Sequence, residues 1–382
     1  MAAMEKKDKN LNVPNLRFPE FSGEWKAVPL STIADITGGG TPDTSVDEYW
    51  GGNIQWFTPS EIGKGKYAYL SDRTITEAGL KNSSAKLLPQ GTVLLSTRAT
   101  IGECSIATTE CTTNQGFQSL VAKENNVSSE FLYYIVAKIK REMLRRSCGS
   151  TFLEISANEL KKIYTNIPLK AEQEKLVSLL SLIDQRIETQ KKIIEKYESL
   201  IRGLYHSVFN QPASTLQLKD VVSVVKGQQV NGEELLEYGK YYVMNGGTEP
   251  SGYLDVCNTP ANTISISEGG NSCGYVQYNT EPFWSGGHCY SLIQKEQSVN
   301  YQYLYHFLKY KERNIMALRI GSGLPNVQKK DLERFEIRVL PTKQQNRVAE
   351  ILADVSAKYD LEKRILQGCQ CQKSYLLHNL FI

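Results

Sequence analysis

One sequence pattern is written twice in this chain. "GSTFLEISANELKKIYTNIPLKAEQEKLVSLL" begins at Gly149 and "GSGLPNVQKKDLERFEIRVLPTKQQNRVAEIL" at Gly321. Gly149 pairs with Gly321, Leu160 with Leu332, Gln173 with Gln345 and Leu180 with Leu352, each 172 residues apart. The offset runs on to the end, where "HSVF" at His206 answers "HNLF" at His378, and back through Leu120 with Leu292 and Gly102 with Gly274. A one-residue slip near Pro168 and Pro341 is repaired at once. Farther upstream "LSTIADITGG" at Leu30 resembles "LKDVVSVVKG" at Leu218 with an offset of 188, so the first copy carries about 16 extra residues in its early loops. A repeat this long is one folding unit used twice, not a short-period solenoid.

Each copy divides into a strand- and turn-rich front and a helical back. "GTVLLSTRATIGECSIA" from Gly91 and "NTISISEGGNSCGYVQY" from Asn262 are rich in β-formers. "GGGTPDT", "YWGGN", "MNGGTEPSG" and "WSGGH" are turn chemistry. A helix is predicted near Ser129–Arg146 and another near Asn300–Leu318, each followed by a short strand, "IYTNIPL" or "FEIRVLP". The fronts are therefore expected to be α+β.

The backs read as one long helix each. Leu176, Leu180, Ile183, Ile187, Gln190, Ile194, Tyr197, Ile201, Leu204 and Val208 alternate steps of three and four, which is a heptad seam. Val348, Leu352, Val355, Tyr359, Glu362, Leu366, Cys369, Lys373, Leu376 and Leu380 repeat it. A helix over 171–209 is about 58 Å long. Its stripe needs a partner: the repeated helix, joined to it through a whole front, most simply pairs with it antiparallel, the alternative being that each helix packs on its own front. The polar positions Gln190 and Glu362 either fix register or face solvent where the pair splays. The expected layout is a first front over 1–168, a helix over 169–210, a second front over 211–341 and a helix over 342–382.

Constellations for catalysis are missing. No GxxxxGK[ST], HExxH, GxSxG or base-methylation motif occurs, and "EIGKGKYAY" from Glu61 lacks a following helix signal, so it reads as a basic loop. The four histidines form no Ser/His/Asp pattern; His206 and His378 sit at matching helix ends. The eight cysteines are scattered, no metal site is expected, and a reduced cytoplasmic setting is the simple reading. The charged opening "MAAMEKKDKNLN" has no apolar core and reads as a frayed tail, and no run is long and apolar enough for a transmembrane helix.

Recognition chemistry remains. Net charge is only +3, from 44 basic and 41 acidic residues, so any grip on phosphates is local or shared with a partner. The first front offers Lys64, Lys66, Tyr67, Arg73, Lys81, Lys86, Arg98, Asn114 and Gln115 among Gly-rich loops. The second offers Lys226, Gln228, Gln229, Asn245, Asn271, Tyr275, Trp284 and His288. Asn, Gln, Arg and Lys pair with base edges, and Lys or Arg with phosphates. The basic segment 138–146 is either a solvated helix face or a phosphate contact.

"LRFPEFSGEWKAVPLSTIADITGGGTP", "YWGGNIQWFTPSEI", the repeated "S…ELKKIYTNIPLKAEQEKLVSLL" pattern and the closing "LLHNLFI" together resemble the specificity subunit of type I restriction–modification enzymes, over essentially the whole chain. The resemblance implies two target-recognition domains, each reading one half of a bipartite, asymmetric site in double-stranded DNA. It implies a pair of spacer helices that sets the gap, and no catalysis in this chain. It also implies two modification (methyltransferase) subunits using S-adenosylmethionine, and restriction subunits using ATP and Mg. The second copy has "GSGLPNVQ" where the first has "GSTFLEIS", so the halves are not expected to read the same bases. Competing readings are an orphan DNA-binding protein and a protein-binding scaffold, each working without modification subunits.

Overall fold

The structure is a computed structural model and describes residues 12–98, 100–149, 153–295, 299–321, 323 and 325–382. All but the last residue of the opening tail lie outside it. The chain forms two compact units, Met1–Lys191 with Arg364–Ile382 and Lys192–Lys363, each taking part of both long helices. The principal helices are α1 (Ser129–Arg146), α2 (Lys170–Phe209), α3 (Tyr301–Tyr310) and α4 (Thr342–Leu380).

The first unit holds a five-stranded sheet in the order Ala34–Gly38, Gln118–Ala122, Val93–Leu95, Cys104–Ala107, Tyr67–Ala68. A second sheet runs Arg73–Ile75, Trp50–Phe57, Cys111–Thr113. A ribbon pairs Lys26–Pro29 with Tyr164–Ile167. The second unit repeats this. Its sheets run Val222–Lys226, Cys289–Gln294, Thr263–Ser267, Val276–Asn279 and Tyr253–Leu254, Tyr241–Met244, Trp284–Ser285, and its ribbon pairs Ser214–Gln217 with Glu336–Val339. The extra edge strand Tyr67–Ala68 lies in the longer early loops of the first copy. It pairs parallel with Cys104–Ala107.

Matched residues do matched work. Ser128 and Asn300 each cap a helix, accepting from the amides of Phe131 and Tyr303. Gln173 and Gln345 are both buried, and each donates Nε2 to the carbonyl five residues back, of Pro168 and Leu340. Leu120 and Leu292, Leu160 and Leu332, and Leu180 and Leu352 are all at most 1% exposed. Gly102 and Gly274 both take φ near +90°, where a side chain is strained.

The helix expected near Asn300–Leu318 is two helices. At Lys311 (φ −93°, ψ 10°) the backbone leaves the α region, and Glu312–Ala317 starts afresh. The break brings the Glu312 carboxylate onto the amide of Val276 at 2.9 Å and sets the Met316 backbone against Gly274.

Every seam position named on the two long helices is buried or half-buried. In the first unit the start of α2 (Leu176, Val177, Leu180) shares a core with Leu376, Leu377 and Leu380 at the end of α4, and Lys373 meets Asp184 at 2.6 Å. In the second unit the end of α2 (Leu204, Val208, Phe209) shares a core with Val348, Ala349 and Leu352 at the start of α4, and Tyr359 OH donates to Glu198 at 3.0 Å. The pairing is antiparallel in each. Gln190 is 1% exposed, which removes the alternative that it faces solvent.

Candidate nucleic-acid interface

Each unit gathers three loops at one end of its sheets, and the same backbone contacts hold them. In the first unit Gly40 N donates to Thr113 O (2.8 Å), Asn114 N to Phe57 O (3.1 Å) and Thr97 N to Gly116 O (2.9 Å). In the second, Gln228 N donates to Ser285 O (2.8 Å), Gly286 N to Met244 O (2.8 Å) and Glu268 N to His288 O (2.9 Å). The approach that permits this is too close for a side chain. A Cβ on Gly39 would lie 2.1 Å from Asn114 O, and one on Gly227 2.2 Å from Gly286 O. Only glycine fits at those two positions. An indole closes each frame: Trp56 Nε1 donates to Gly40 O (2.9 Å) and Trp284 Nε1 to Gln228 O (3.1 Å).

The side chains on these frames differ. In the first unit Asn114 Oδ1 accepts from Gly116 N, and Gln115 bonds Thr41. Arg98 pairs with Glu154 at 3.0 Å. Arg73 lays its guanidinium 3.6 Å over Trp50, which packs edge-on against Trp56. Lys86 is exposed on the segment whose Ser84 and Ala85 press on Gly40, and Lys81 ends a short helix beside Glu77. In the second unit Gln228, Gln229 and Asn271 are exposed, and Asn245 Oδ1 accepts from His288 N (3.1 Å). Lys226, Glu268, Tyr290 and His288 form a charged group at the same end.

The structure places four candidates elsewhere. Lys66 is drawn inward: its Nζ bonds Ser181 Oγ (2.7 Å) and Tyr134 OH (3.3 Å), and Tyr67 OH donates to Glu130 (2.6 Å). Lys64, Lys66 and Tyr67 line a cleft of about 760 Å³ against α2 and the end of α4 within the first unit. Tyr134 OH also donates to Asp184 (2.6 Å), and burial with that carboxylate raises its pKa, so it stays a donor. Tyr275 lies under Lys309, 4.1 Å from ring to ammonium. Lys66 and Tyr67 thus brace the unit on its helices.

The basic segment of α1 is largely engaged within its unit. Lys138 donates to Phe381 O (2.8 Å), Lys140 to Glu103 (2.6 Å), and Arg145 and Arg146 both hold Glu142. Sequence reasoning passed over Trp50, Trp56, Asp184 and Glu268. The tryptophans stood in a quoted stretch, and Glu268 breaks an alternating run just before two glycines, a signal of a charge held at a strand end. Among the described residues no group of His, Cys, Asp and Glu is placed to hold a metal, and no helix is long and apolar enough to cross a membrane.

Comparison with known proteins agrees with the duplicated architecture. The MjaIX type I restriction enzyme specificity subunit of Methanocaldococcus jannaschii is 40% identical over 190 residues, covering 49% of this chain and 44% of that protein. The EcoprrI specificity subunit of Escherichia coli is 23% identical over 355 residues, 86% of each chain. The crystal structure of the type I restriction–modification S subunit from M. genitalium superposes with a TM-score of 0.73 at 20% identity, covering 97% of this chain and 99% of that one, which shows a shared fold. The family model for the type I restriction modification DNA specificity domain matches twice, over residues 22–199 and 211–369. The chain belongs to the type I restriction–modification DNA specificity family.

Proposed function

We propose that this chain is the DNA-recognition subunit of a type I restriction–modification complex in the cytoplasm. Each unit reads one half of a bipartite, asymmetric site in double-stranded DNA, and the paired helices α2 and α4 set the gap between the halves. One observation carries the reading: three matched backbone hydrogen bonds build the same loop end twice, an indole donates to the matched carbonyl of each from a different strand, and different side chains stand on each copy. A frame repeated with altered side chains suits two readers of unlike sequence, because base-edge readout depends on which donors and acceptors the side chains present.

Net charge near zero fits a subunit whose hold on phosphate is shared. In this reading two modification subunits bring S-adenosylmethionine and the methyl transfer, and restriction subunits bring ATP, Mg and cleavage. The chain itself binds, orients and measures. A scaffold that binds only protein would leave the two unlike loop ends without a shared task.

The test is genome-wide methylation mapping in a host carrying this chain with its modification partner. A single two-part target, asymmetric and with a fixed gap, is expected. Methylation at a palindrome, or none beyond that of the partner alone, would overturn the reading.

A further inference from the structure

Among the described residues the charged group of the second unit has no counterpart in the first. Lys226 faces Tyr290 across neighbouring strands as Gly38 faces Gln118, and Glu268 and His288 share a backbone bond as Thr97 and Gly116 do. One frame thus carries Gly38, Thr97, Gly116 and Gln118 in one copy and Lys226, Glu268, His288 and Tyr290 in the other.

Glu268 is 8% exposed, an unusual place for a carboxylate unless partners hold it. Its Oε1 accepts from Lys226 Nζ (2.7 Å) and Tyr290 OH (3.0 Å). Burial first, and the carboxylate second, raise the pKa of Tyr290, so the phenol remains a donor. Oε2 is shielded from water, has no hydrogen-bond partner, and faces His288 Nδ1 at 3.7 Å. The His288 backbone is fixed on both sides, by Asn245 Oδ1 at its amide and Glu268 N at its carbonyl, and its Cβ stands where a Cβ on Gly246 would come within 3.1 Å. The carboxylate is thus locked, while the side chains of Lys226 and His288 remain 54% and 60% exposed.

We propose that Lys226 is a specificity-determining residue of the second recognition unit and donates to the O6 and N7 acceptors of a guanine in the major groove. Glu268 is its positioning residue, with His288 closing the other side of the carboxylate. This rests on the reading of the chain as a two-part DNA reader. An ammonium has three hydrogens. Glu268 takes one and fixes the direction of the stem, which leaves two donors for two acceptors on one base edge. A lysine on an unconstrained stem would act as a point charge toward phosphate and carry no base preference.

The test is selection of a randomised duplex pool by the full-length chain produced with its modification subunit, followed by sequencing. Wild type is expected to select a two-part consensus with guanine at one position of the second half. Lys226→Gln and Glu268→Gln are expected to lower the preference for that guanine by roughly 5- to 150-fold, leaving every other position and the whole first half intact. Lys226→Arg should retain guanine. Thermal melting separates positioning from folding: Lys226→Arg keeps a cation beside Glu268 and should melt as wild type does, and each variant is selected below its own melting temperature, since Lys226→Gln takes the charged partner from a buried carboxylate. An unchanged consensus in Lys226→Gln would overturn the proposal. So would an intact consensus with uniformly weaker binding to all sequences, which marks a phosphate contact. A wild type that selects no two-part consensus overturns the functional reading itself.

Discussion

The two units are closest in backbone and farthest apart in what they place on it. Gly39 and Gly227 press on the same carbonyls, yet the first loop end carries an arginine stacked on tryptophans and the second a buried carboxylate holding a lysine. Their footings on the helices differ in the same way. The first unit uses polar links: Lys66 to Ser181, Tyr134 to Asp184, Asp184 to Lys373. The second uses rings: Phe209 packs on Tyr303, Phe307 and Tyr310, and Tyr205 bonds His306. The lesson is that main-chain geometry fixes where each loop end stands, while side chains set what it presents and how it is seated.

The glycine contacts offer the sharpest way to break the comparison. Gly39→Val or Gly227→Val puts a branched side chain where a Cβ already overlaps carbonyl oxygens, and each is expected to destabilise its own unit by at least ~4 kcal/mol. Amide exchange should rise in the affected unit and stay low in the other. Collapse of both units from one substitution would show that the frames are not independent.

The rings of the second unit add a pH dependence. Burial holds His306 neutral and lowers its pKa to about 4 from an ordinary 6.5. As pH falls below about 6.5 the unfolded chain takes up a proton that the folded chain refuses. Stability contributed by His306 therefore falls through the window from 6.5 to 4, by as much as ~3 kcal/mol. His306→Phe should flatten that slope at the cost of the Tyr205 bond, with exchange protection of α3 at pH 5 and 7 as the readout. Asp184→Ala strips an acceptor from Lys373 and Tyr134 together and should cost the first unit ~2 kcal/mol in a denaturant titration, with little effect on the second. The smallest effect is expected from Arg73→Ala, where an exposed cation–π stack is worth ~1 kcal/mol by the same titration.

Much of this was legible in the sequence, for reasons that can be named. The repeat was readable because matched positions do matched structural work: Gln173 and Gln345 hold matched carbonyls, and Ser128 and Asn300 cap matched helices. The seam was readable because a long helix must bury its stripe. The break at Lys311 was not, since periodicity continues through it and the bond that accompanies it, from Val276 N to the Glu312 carboxylate, is tertiary. Nor could spacing tell that Lys66 turns inward while Lys226 stays half-exposed. Both are lysines beside glycine-rich turns, and only the fold brings Ser181 to one and Glu268 to the other.

The independence of the two readers is tested most directly by exchange. Residues 24–150 are replaced with the matching front of a relative, and the methylated sites are mapped in cells carrying the modification partner. The first half-site should change while the second half-site and the gap persist. A change in both half-sites would contradict the account.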